Sequence, residues 1–364
     1  MSNDELTSER EELKRQLAAG KYKTLIDVIL DWVSRLIQRA TRGHQPVPVW
    51  YSATFILLTT ILIGLLAVAL LGEFTTLQRF VGQLGPFTML VLVLATASMV
   101  FVNLFIADIL TILRKSVLDV VESTRTLDEI KQWLAVISMR RLILIVSVVG
   151  GVAAGAYASF LVTTTVGYSP GNGLALLLIL FGIQSAVFVL YLFFIADFSV
   201  RIGRFELKLF RSDPSSSEII AHLSGVVSSF VYLVAVYGAV LILGTASLGL
   251  LGSFGIVVVA LLWVPILVIF ATHQIGLARV IQRAKWKTLN AIQATIDALR
   301  IEEYRSEKEM REAIVWFLDY HDRVRATRNS ALDLRASLNF LNSLLLPLLA
   351  FILTNLDIVV ALFP

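Results

Sequence analysis

Long apolar runs, separated by short polar segments, dominate the pattern of this chain. These runs contain no Lys or Arg, and they lack the two-residue alternation of a membrane β-barrel. A helix of about 20 apolar residues crosses a hydrocarbon core about 30 Å thick. The pattern therefore predicts an all-α, polytopic membrane protein with seven transmembrane helices, at residues 49–72, 87–113, 142–165, 173–198, 223–244, 252–278 and 338–362.

The composition indicates the same class. Hydrophobic residues make up 57% of the 364 positions and charged residues 16%, which is far more apolar than a soluble domain of this length. The chain contains no Cys, so disulfides, thiolate metal sites and cysteine nucleophiles are excluded. Basic residues beside membrane spans ordinarily contact anionic lipid, and we therefore expect membrane lipids, and no nucleic acid, as partners.

The lysines and arginines lie almost entirely on one side of the predicted spans. If the seven helices alternate in direction, every one of the 31 basic residues except Arg79 falls on the same side. The positive-inside rule makes this side cytoplasmic. The N-terminus is then cytoplasmic and the C-terminus external, opposite to the polarity of G-protein-coupled receptors and opsins. We expect an integral, multi-pass protein of the cell membrane.

The spans divide the chain into four parts. They are cytoplasmic or interfacial amphipathic helices at 1–45, six transmembrane helices in three hairpins at 46–278, a cytoplasmic helical segment at 279–336 and the seventh helix at 337–364. In the first part, the helical pattern collects one apolar face, consisting of Leu25, Ile29, Trp32 and Leu36. Two interpretations stay open for this helix: it lies at the membrane interface, or it packs on other cytoplasmic helices of the chain.

A short motif recurs at the ends of the second and fourth spans. LFIAD ends at Asp108, FIAD ends at Asp197, and basic residues follow both. A shift of 89 residues aligns the motifs and several residues after them, which predicts a tandem helical-hairpin repeat. Asp197 can pair with Arg201 four residues later. Both carboxylates lie just inside the predicted cytoplasmic boundary, where they could line an inner vestibule or hold helices together.

The seventh span carries small and polar residues on one face. Steps of three or four residues along NFLNSLLLPLLAFILTNLD collect Asn339, Ser343, Pro347, Ala350, Thr354 and Asp357. Such a stripe either lines a hydrated pore or allows close helix packing. If it lines a pore, Asp357 lies near the outer mouth, where a carboxylate concentrates cations.

Motifs for catalysis or cofactor binding are missing from the sequence. The four histidines are scattered without metal-ligand spacing, and neither a P-loop nor a dinucleotide-binding glycine pattern occurs. No span combines a nucleophile, a base and a charged stabiliser. We therefore predict no catalytic residue, no cofactor and no metal site, and we expect that the chain is not an enzyme.

The layout resembles that of the insect odorant and gustatory receptor superfamily: seven spans, an internal N-terminus, helical cytoplasmic connections and a last span ending close to an external C-terminus. In that family four similar subunits surround a cation pore lined by the last helix. Where gustatory receptors have Thr-Tyr, a short apolar run and Gln-Phe, this chain reads AFILTNLD. The resemblance implies a homo-oligomeric ion channel or channel-like receptor. A solute transporter and a non-catalytic membrane scaffold are the alternatives, and the sequence identifies no ion or ligand.

Overall fold

The computed structural model describes residues 3–41, 47–166, 171–247, 252–303 and 308–330. It also describes six helical positions further on, at 338, 341, 342, 345, 349 and 352. This part of the chain is helical and contains no strand, only one isolated β-bridge. The helices are α1 (Asn3–Ala18), α2 (Leu25–Thr41), α3 (Val49–Leu70), α4 (Phe74–Ile112), α5 (Leu118–Val120), α6 (Thr124–Ile137), α7 (Arg140–Val166), α8 (Asn172–Ile202), α9 (Glu218–Ser247), α10 (Gly252–Glu303) and α11 (Lys308–Ala326).

Five helical stretches within the described ranges are long and apolar enough to cross a membrane. They are Val49–Leu70, Leu92–Val120, Arg140–Phe160, Asn172–Ile202 and Glu218–Val240. They overlap the first five predicted spans. The predicted sixth span lies in α10, where most side chains before residue 267 are outside the described set, and most of the seventh lies outside it as well. The protein is therefore an integral membrane protein with at least these five candidate spans.

Polar side chains join three of these helices inside the bundle. Gln184 of α8 donates to the Thr60 hydroxyl of α3 at 3.0 Å and accepts from the Thr96 hydroxyl of α4 at 3.3 Å. All three residues are buried. Because lipid offers no hydrogen-bonding partner, these contacts fix how α3, α4 and α8 are rotated against one another.

Glycines bring α7 and α8 into close contact. A Cβ atom at Gly151 would clash with Ile183, and one at Gly155 would clash with Ile179. Gly182 faces the Gly151 carbonyl in the same way. This is the small-residue packing that lets membrane helices approach at backbone distance.

Glu73 places two helix ends on the same side of the bundle. It follows α3, and its carboxylate accepts from the backbone amides of Asn172 at 2.8 Å and Gly173 at 2.9 Å. These amides belong to the first turn of α8, where the helix leaves its donors unpaired and attracts a negative charge. The end of α3 and the start of α8 are therefore neighbours, as expected for antiparallel spans.

The segments that follow α4 and α8 pair with each other at the opposite side. Val121 and Leu207 form the isolated antiparallel bridge. The Glu122 amide donates to the Glu206 carbonyl at 2.9 Å, and the Lys208 amide donates to the Val120 carbonyl at 2.7 Å. Arg283 of α10 donates to two carbonyls of the second segment, so three parts of the chain meet here.

Helices α10 and α11 form a hairpin beyond the predicted sixth span. A cluster of buried apolar residues holds the two helices together: Leu289, Ile292, Ile296, Ile314 and Val324. Lys285 is 6% exposed, and its ammonium group donates to the Arg325 and Thr327 carbonyls and to Asn329 at 2.7–2.8 Å. A lysine that binds the last carbonyls of a helix stabilises that end. The apolar residues between α10 and α11 are therefore covered within this chain, whereas Trp286, Val315 and Trp316 stay exposed.

Candidate functional site

The second FIAD motif lies in a network of ion pairs at the end of α8. The Arg201 guanidinium donates to Asp197 at 2.7 Å and to Glu129 of α6 at 2.9 Å. Arg204 adds a third contact, to the other oxygen of Glu129 at 3.2 Å. The Glu129 and Arg201 side chains are only 13% and 18% exposed, so water screens this pair less than it screens a surface pair.

Helix α6 is positioned for these contacts by its own start and by an aromatic anchor. Ser123 caps it by accepting from the Thr126 amide at 3.3 Å, which satisfies one of the free donors of the first turn. Trp133 is 1% exposed; its indole nitrogen donates to the Phe194 carbonyl at 2.9 Å and its ring packs on Phe198. Position 194 belongs to the FIAD motif itself.

The first FIAD motif has a different environment. Asp108 is exposed, and it makes no hydrogen bond or ion pair with any residue in the described ranges. Lys115, two turns further on, lies in the π-helical turn Leu113–Val117 that follows α4. The structure thus brings Asp197 into a cluster and leaves Asp108 at the surface.

A second hydrogen-bond network, made without a basic side chain, joins α2 to α4 near the first motif. Thr24 precedes α2 and accepts from the Asp27 amide, while Asp27 accepts from the Thr24 amide, each at 2.9 Å. This reciprocal arrangement is a capping box. Asn103 of α4 joins it by donating to Asp27 at 2.8 Å and accepting from the Thr24 hydroxyl at 2.8 Å. The Leu25 amide donates to the Tyr191 hydroxyl of α8 at 2.9 Å.

Helix α1 contacts the segment after α4 through charges. Lys14 donates to Asp119 at 2.5 Å, and Lys131 of α6 pairs with Glu9 at 2.7 Å. The hydrogen bond to Asp119, with a second one to Glu11, raises the pKa of Lys14 above its usual 10.5. Burial raises the pKa of the neighbouring Tyr22 above 10.0.

A second candidate region lies between α9 and α10. His273 is fully buried, and its Nε2 donates to the Leu223 carbonyl of α9 at 3.1 Å. Its Nδ1 atom, both amide atoms of Gln274 and the Ser228 hydroxyl are buried and have no partner within the described part of the chain. Buried polar groups are nearly always hydrogen-bonded, so we expect these atoms to have a further hydrogen-bonding partner.

Sequence reasoning did not single out this second region. The signal is the dipeptide His273–Gln274, which stands inside the apolar run predicted as the sixth span. Polar residues at such positions are costly and commonly functional. Histidine spacing alone does not reveal the region, because the four histidines are scattered along the chain without metal-ligand spacing.

A small cavity of about 170 Å³ lies where the two paired segments meet α10. Its wall carries two basic and two acidic side chains. Lys287 pairs with Glu122 at 2.6 Å, Arg283 is bound to carbonyls, and Glu206 is the second carboxylate. Within the described ranges, no group of three or more His, Asp or Glu residues is placed to hold a metal ion. The charges of this cavity therefore do not select a particular ligand.

All six predicted pore-lining residues, Asn339, Ser343, Pro347, Ala350, Thr354 and Asp357, lie outside the described residues. Comparisons with protein-family models, with curated proteins and with solved structures find no match. The candidate sites therefore depend on the geometry of this chain alone.

Proposed function

We propose that this integral membrane protein is a homo-oligomeric ion channel whose seventh helix lines the pore. The observation that carries the proposal comes from single described positions of that helix. Leu338, Leu341, Leu345 and Leu349 are helical and 45–52% exposed. They recur at three- and four-residue spacing, which is one face of a helix, and Asn342, also helical and exposed, lies beside this face.

By the same helical spacing, the predicted polar stripe lies on the opposite side from these leucines. Large exposed leucines are suited to lipid, because lipid chains are as apolar as the side chains themselves. If the leucines face lipid, the stripe faces away from it. A face that is polar, turned from lipid and repeated in each subunit around an axis would form a hydrated path.

Asp357 tests this proposal. Purified protein in planar bilayers should carry a cation-selective current, because a ring of carboxylates concentrates cations near the mouth. Asp357→Asn should weaken the selectivity, most clearly at low salt where screening is least, and Asp357→Lys should lower cation current further. The matched control is Leu345→Ala on the exposed face, which should leave selectivity unchanged. A correctly assembled protein without current, or with a current indifferent to both changes at Asp357, would exclude this pore.

A solute transporter is the second candidate, and the unpartnered atoms between α9 and α10 favour it. These atoms belong to one chain, so a path beside them would need no neighbouring subunit. Gln274→Leu separates the candidates: if the amide binds a passing solute or water, cation flux into proteoliposomes should fall while thermal stability is unchanged or rises. Stability is expected to hold because an apolar side chain relieves a buried amide without partners. Flux that responds to Asp357→Asn alone would favour the channel.

A further inference from the structure

Helix α2 buries most of its apolar residues and leaves one apolar edge uncovered by the described chain. The buried residues, no more than 7% exposed, are Leu25, Ile26, Leu30 and Val33, and all but Val33 belong to the main core. Of the predicted face, Leu25 is thus buried and Ile29 packs against the core, whereas Trp32 is 58% exposed and Leu36 is partly exposed. The helix therefore packs on the bundle with one side and presents an apolar edge, formed by Trp32 and Leu36, outward.

Hydrogen bonds fix the depth of α2. Its capping box is bound to Asn103, five residues before Asp108 on α4, and the Arg140 guanidinium donates to the Lys23 carbonyl at 3.3 Å. Arg140 is the first residue of α7, and it lies two residues before the third predicted span. The start of α2 is thus held between α4 and the start of α7, on the side of the predicted cytoplasmic boundary.

The exposed side of α2 is ordered as an interfacial helix requires. Arg35 and Arg39 are exposed and lie, by helical spacing, next to Trp32. Gln38 and Asp31 follow further around the helix, away from the apolar face. Around the helix, apolar side chains are followed by basic and then by polar ones. This order matches the layers of a membrane surface, in which acyl chains are followed by phosphates and then by water.

The helix that follows α2 begins with exposed aromatic residues. Trp50 and Tyr51, at the start of α3, are 49% and 66% exposed. Trp and Tyr are enriched where membrane helices enter the headgroup layer. The start of α3, which packs against α2, therefore also exposes aromatic residues suited to the headgroup layer.

We propose that α2 lies in the headgroup layer, with Trp32 and Leu36 in contact with acyl chains and with Arg35 and Arg39 bound to the phosphates of anionic phospholipids. Long arginine side chains can reach the phosphate level while their stems cover apolar surface. Each basic residue near an anionic surface adds to the attraction. This inference rests on the membrane class of the protein and does not require that it conducts ions.

The absence of Cys makes a depth measurement direct. Trp32→Cys and the matched control Gln38→Cys would each be labelled with a nitroxide, and the protein reconstituted in vesicles of phosphatidylcholine and phosphatidylglycerol. At position 32 the label should collide with oxygen, which concentrates in lipid, more often than with a water-soluble nickel chelate. At position 38 the order should be reversed. A label at position 32 that is open to the chelate overturns the proposal, and one shielded from both reagents shows that a protein or second copy covers the face instead.

The arginines are tested by their lipid preference. Phosphatidylglycerol added to the detergent-solubilised protein should raise its melting temperature more than phosphatidylcholine does. The double variant Arg35→Gln/Arg39→Gln should need roughly tenfold more phosphatidylglycerol for the same rise. The control is Arg323→Gln/Arg325→Gln on α11, which removes the same charge beyond the spans and should respond as the parent does. An unchanged response in the first variant, or an equal loss in both, contradicts the assignment.

Discussion

Helices α4 and α8 end in the same motif, and each holds an amphipathic helix beside it by different chemistry. Near the end of α4, Asn103 binds the capping box of α2 through hydrogen bonds among Thr24, Asp27 and its own amide. Near the end of α8, Arg201 binds Glu129 of α6 as an ion pair. Both helix ends therefore bind an amphipathic helix. The residues that bind it, and the type of contact they make, differ between the two ends.

The unequal fates of the two motif carboxylates follow from one residue. Asp197 has Arg201 one turn later, and the two pair at 2.7 Å. The equivalent position after Asp108 is Ile112, which offers no charge. The repeated motif therefore carries a paired carboxylate in one copy and an exposed carboxylate in the other. The difference comes from the residue that follows the motif, not from the motif itself.

The helix boundaries bear on the predicted duplication. Moved by 89 residues, the end of α4 falls one residue before the end of α8 at Ile202. The start of α3 falls two residues before the start of α7 at Arg140. The third element differs, because α6 is separate from α7 whereas α9 runs on without a break. The inner ends agree less well: the end of α3 falls seven residues before the end of α7, and the start of α4 falls nine residues before the start of α8. The tandem repeat therefore stays a prediction.

The largest effect should come from Arg201→Met, which breaks the ionic docking of α6. The change leaves Glu129 poorly exposed with only Arg204 as a cation, and removing one partner of a buried pair costs about 3 kcal/mol or more. We expect a loss of this order in the free energy of unfolding in mixed detergent micelles. Arg204→Met is the control: its side chain is 55% exposed, so the loss should be under about 1 kcal/mol. Equal losses would show that burial does not set the strength of this network.

The network around Asn103 contains no basic side chain and should be weaker, and Asn103→Leu tests it. The substitution removes the amide that donates to Asp27 and accepts from Thr24, but the capping box itself remains. Leaving buried polar groups unsatisfied costs about 1–3 kcal/mol, and we expect a loss in this range by the same measurement. Thr111→Val on the same helix is the control, because its exposed hydroxyl bonds only to the Ala107 carbonyl of its own turn. A loss as large as that of Arg201→Met would remove the distinction between the two docking modes.

The membrane class was predictable because apolar runs are long and lipid imposes a single solution on the backbone. The first five predicted spans coincide with apolar helices of spanning length, and boundaries such as the start of α3 directly after Pro48 follow from local chemistry. The sequence did not show that α4 begins at Phe74, because that helix continues through a more polar segment. Apolarity indicates where lipid is, and it does not indicate where a helix ends.

The contacts of the candidate sites were predictable only where partners are close in sequence. Asp197 and Arg201 are four residues apart, and their pairing follows from helical spacing. Glu129 and Asn103 find partners 72 and 76 residues away, which depends on how the helices pack. The predicted apolar face of α2 illustrates the same limit, since the bundle buries Ile26 and Leu30 while Trp32 stays exposed.

The two motif carboxylates give a direct comparison of smaller size. Asp197→Asn removes the charge that pairs with Arg201, and since Asp197 is 42% exposed the loss should be about 0.5–1 kcal/mol. Asp108→Asn should change the free energy of unfolding by less than about 0.5 kcal/mol, as exposed substitutions ordinarily do. The two variants are chemically identical and serve as each other's control. A larger loss at position 108 would mean that its carboxylate has a role that the described contacts do not include.

The smallest effect concerns the ion pair between Lys14 of α1 and Asp119 of α5, in the segment that follows the first motif. The hydrogen bond to Asp119 raises the pKa of Lys14 above 10.5, so the protonated lysine is favoured when α1 is docked. Its contribution is complete below pH 10.5 and is lost as the pH rises through the higher pKa of the docked state. A nitroxide at Ser8→Cys on α1 should therefore gain mobility in that alkaline range. When Lys14→Met is added, the mobility of the nitroxide should rise modestly already at pH 8, because a partly exposed pair contributes only about 0.5 kcal/mol. In the Lys14→Met variant, the alkaline transition should disappear. If it persists unchanged, another group releases α1 at high pH, and the ion pair between Lys14 and Asp119 does not hold this helix.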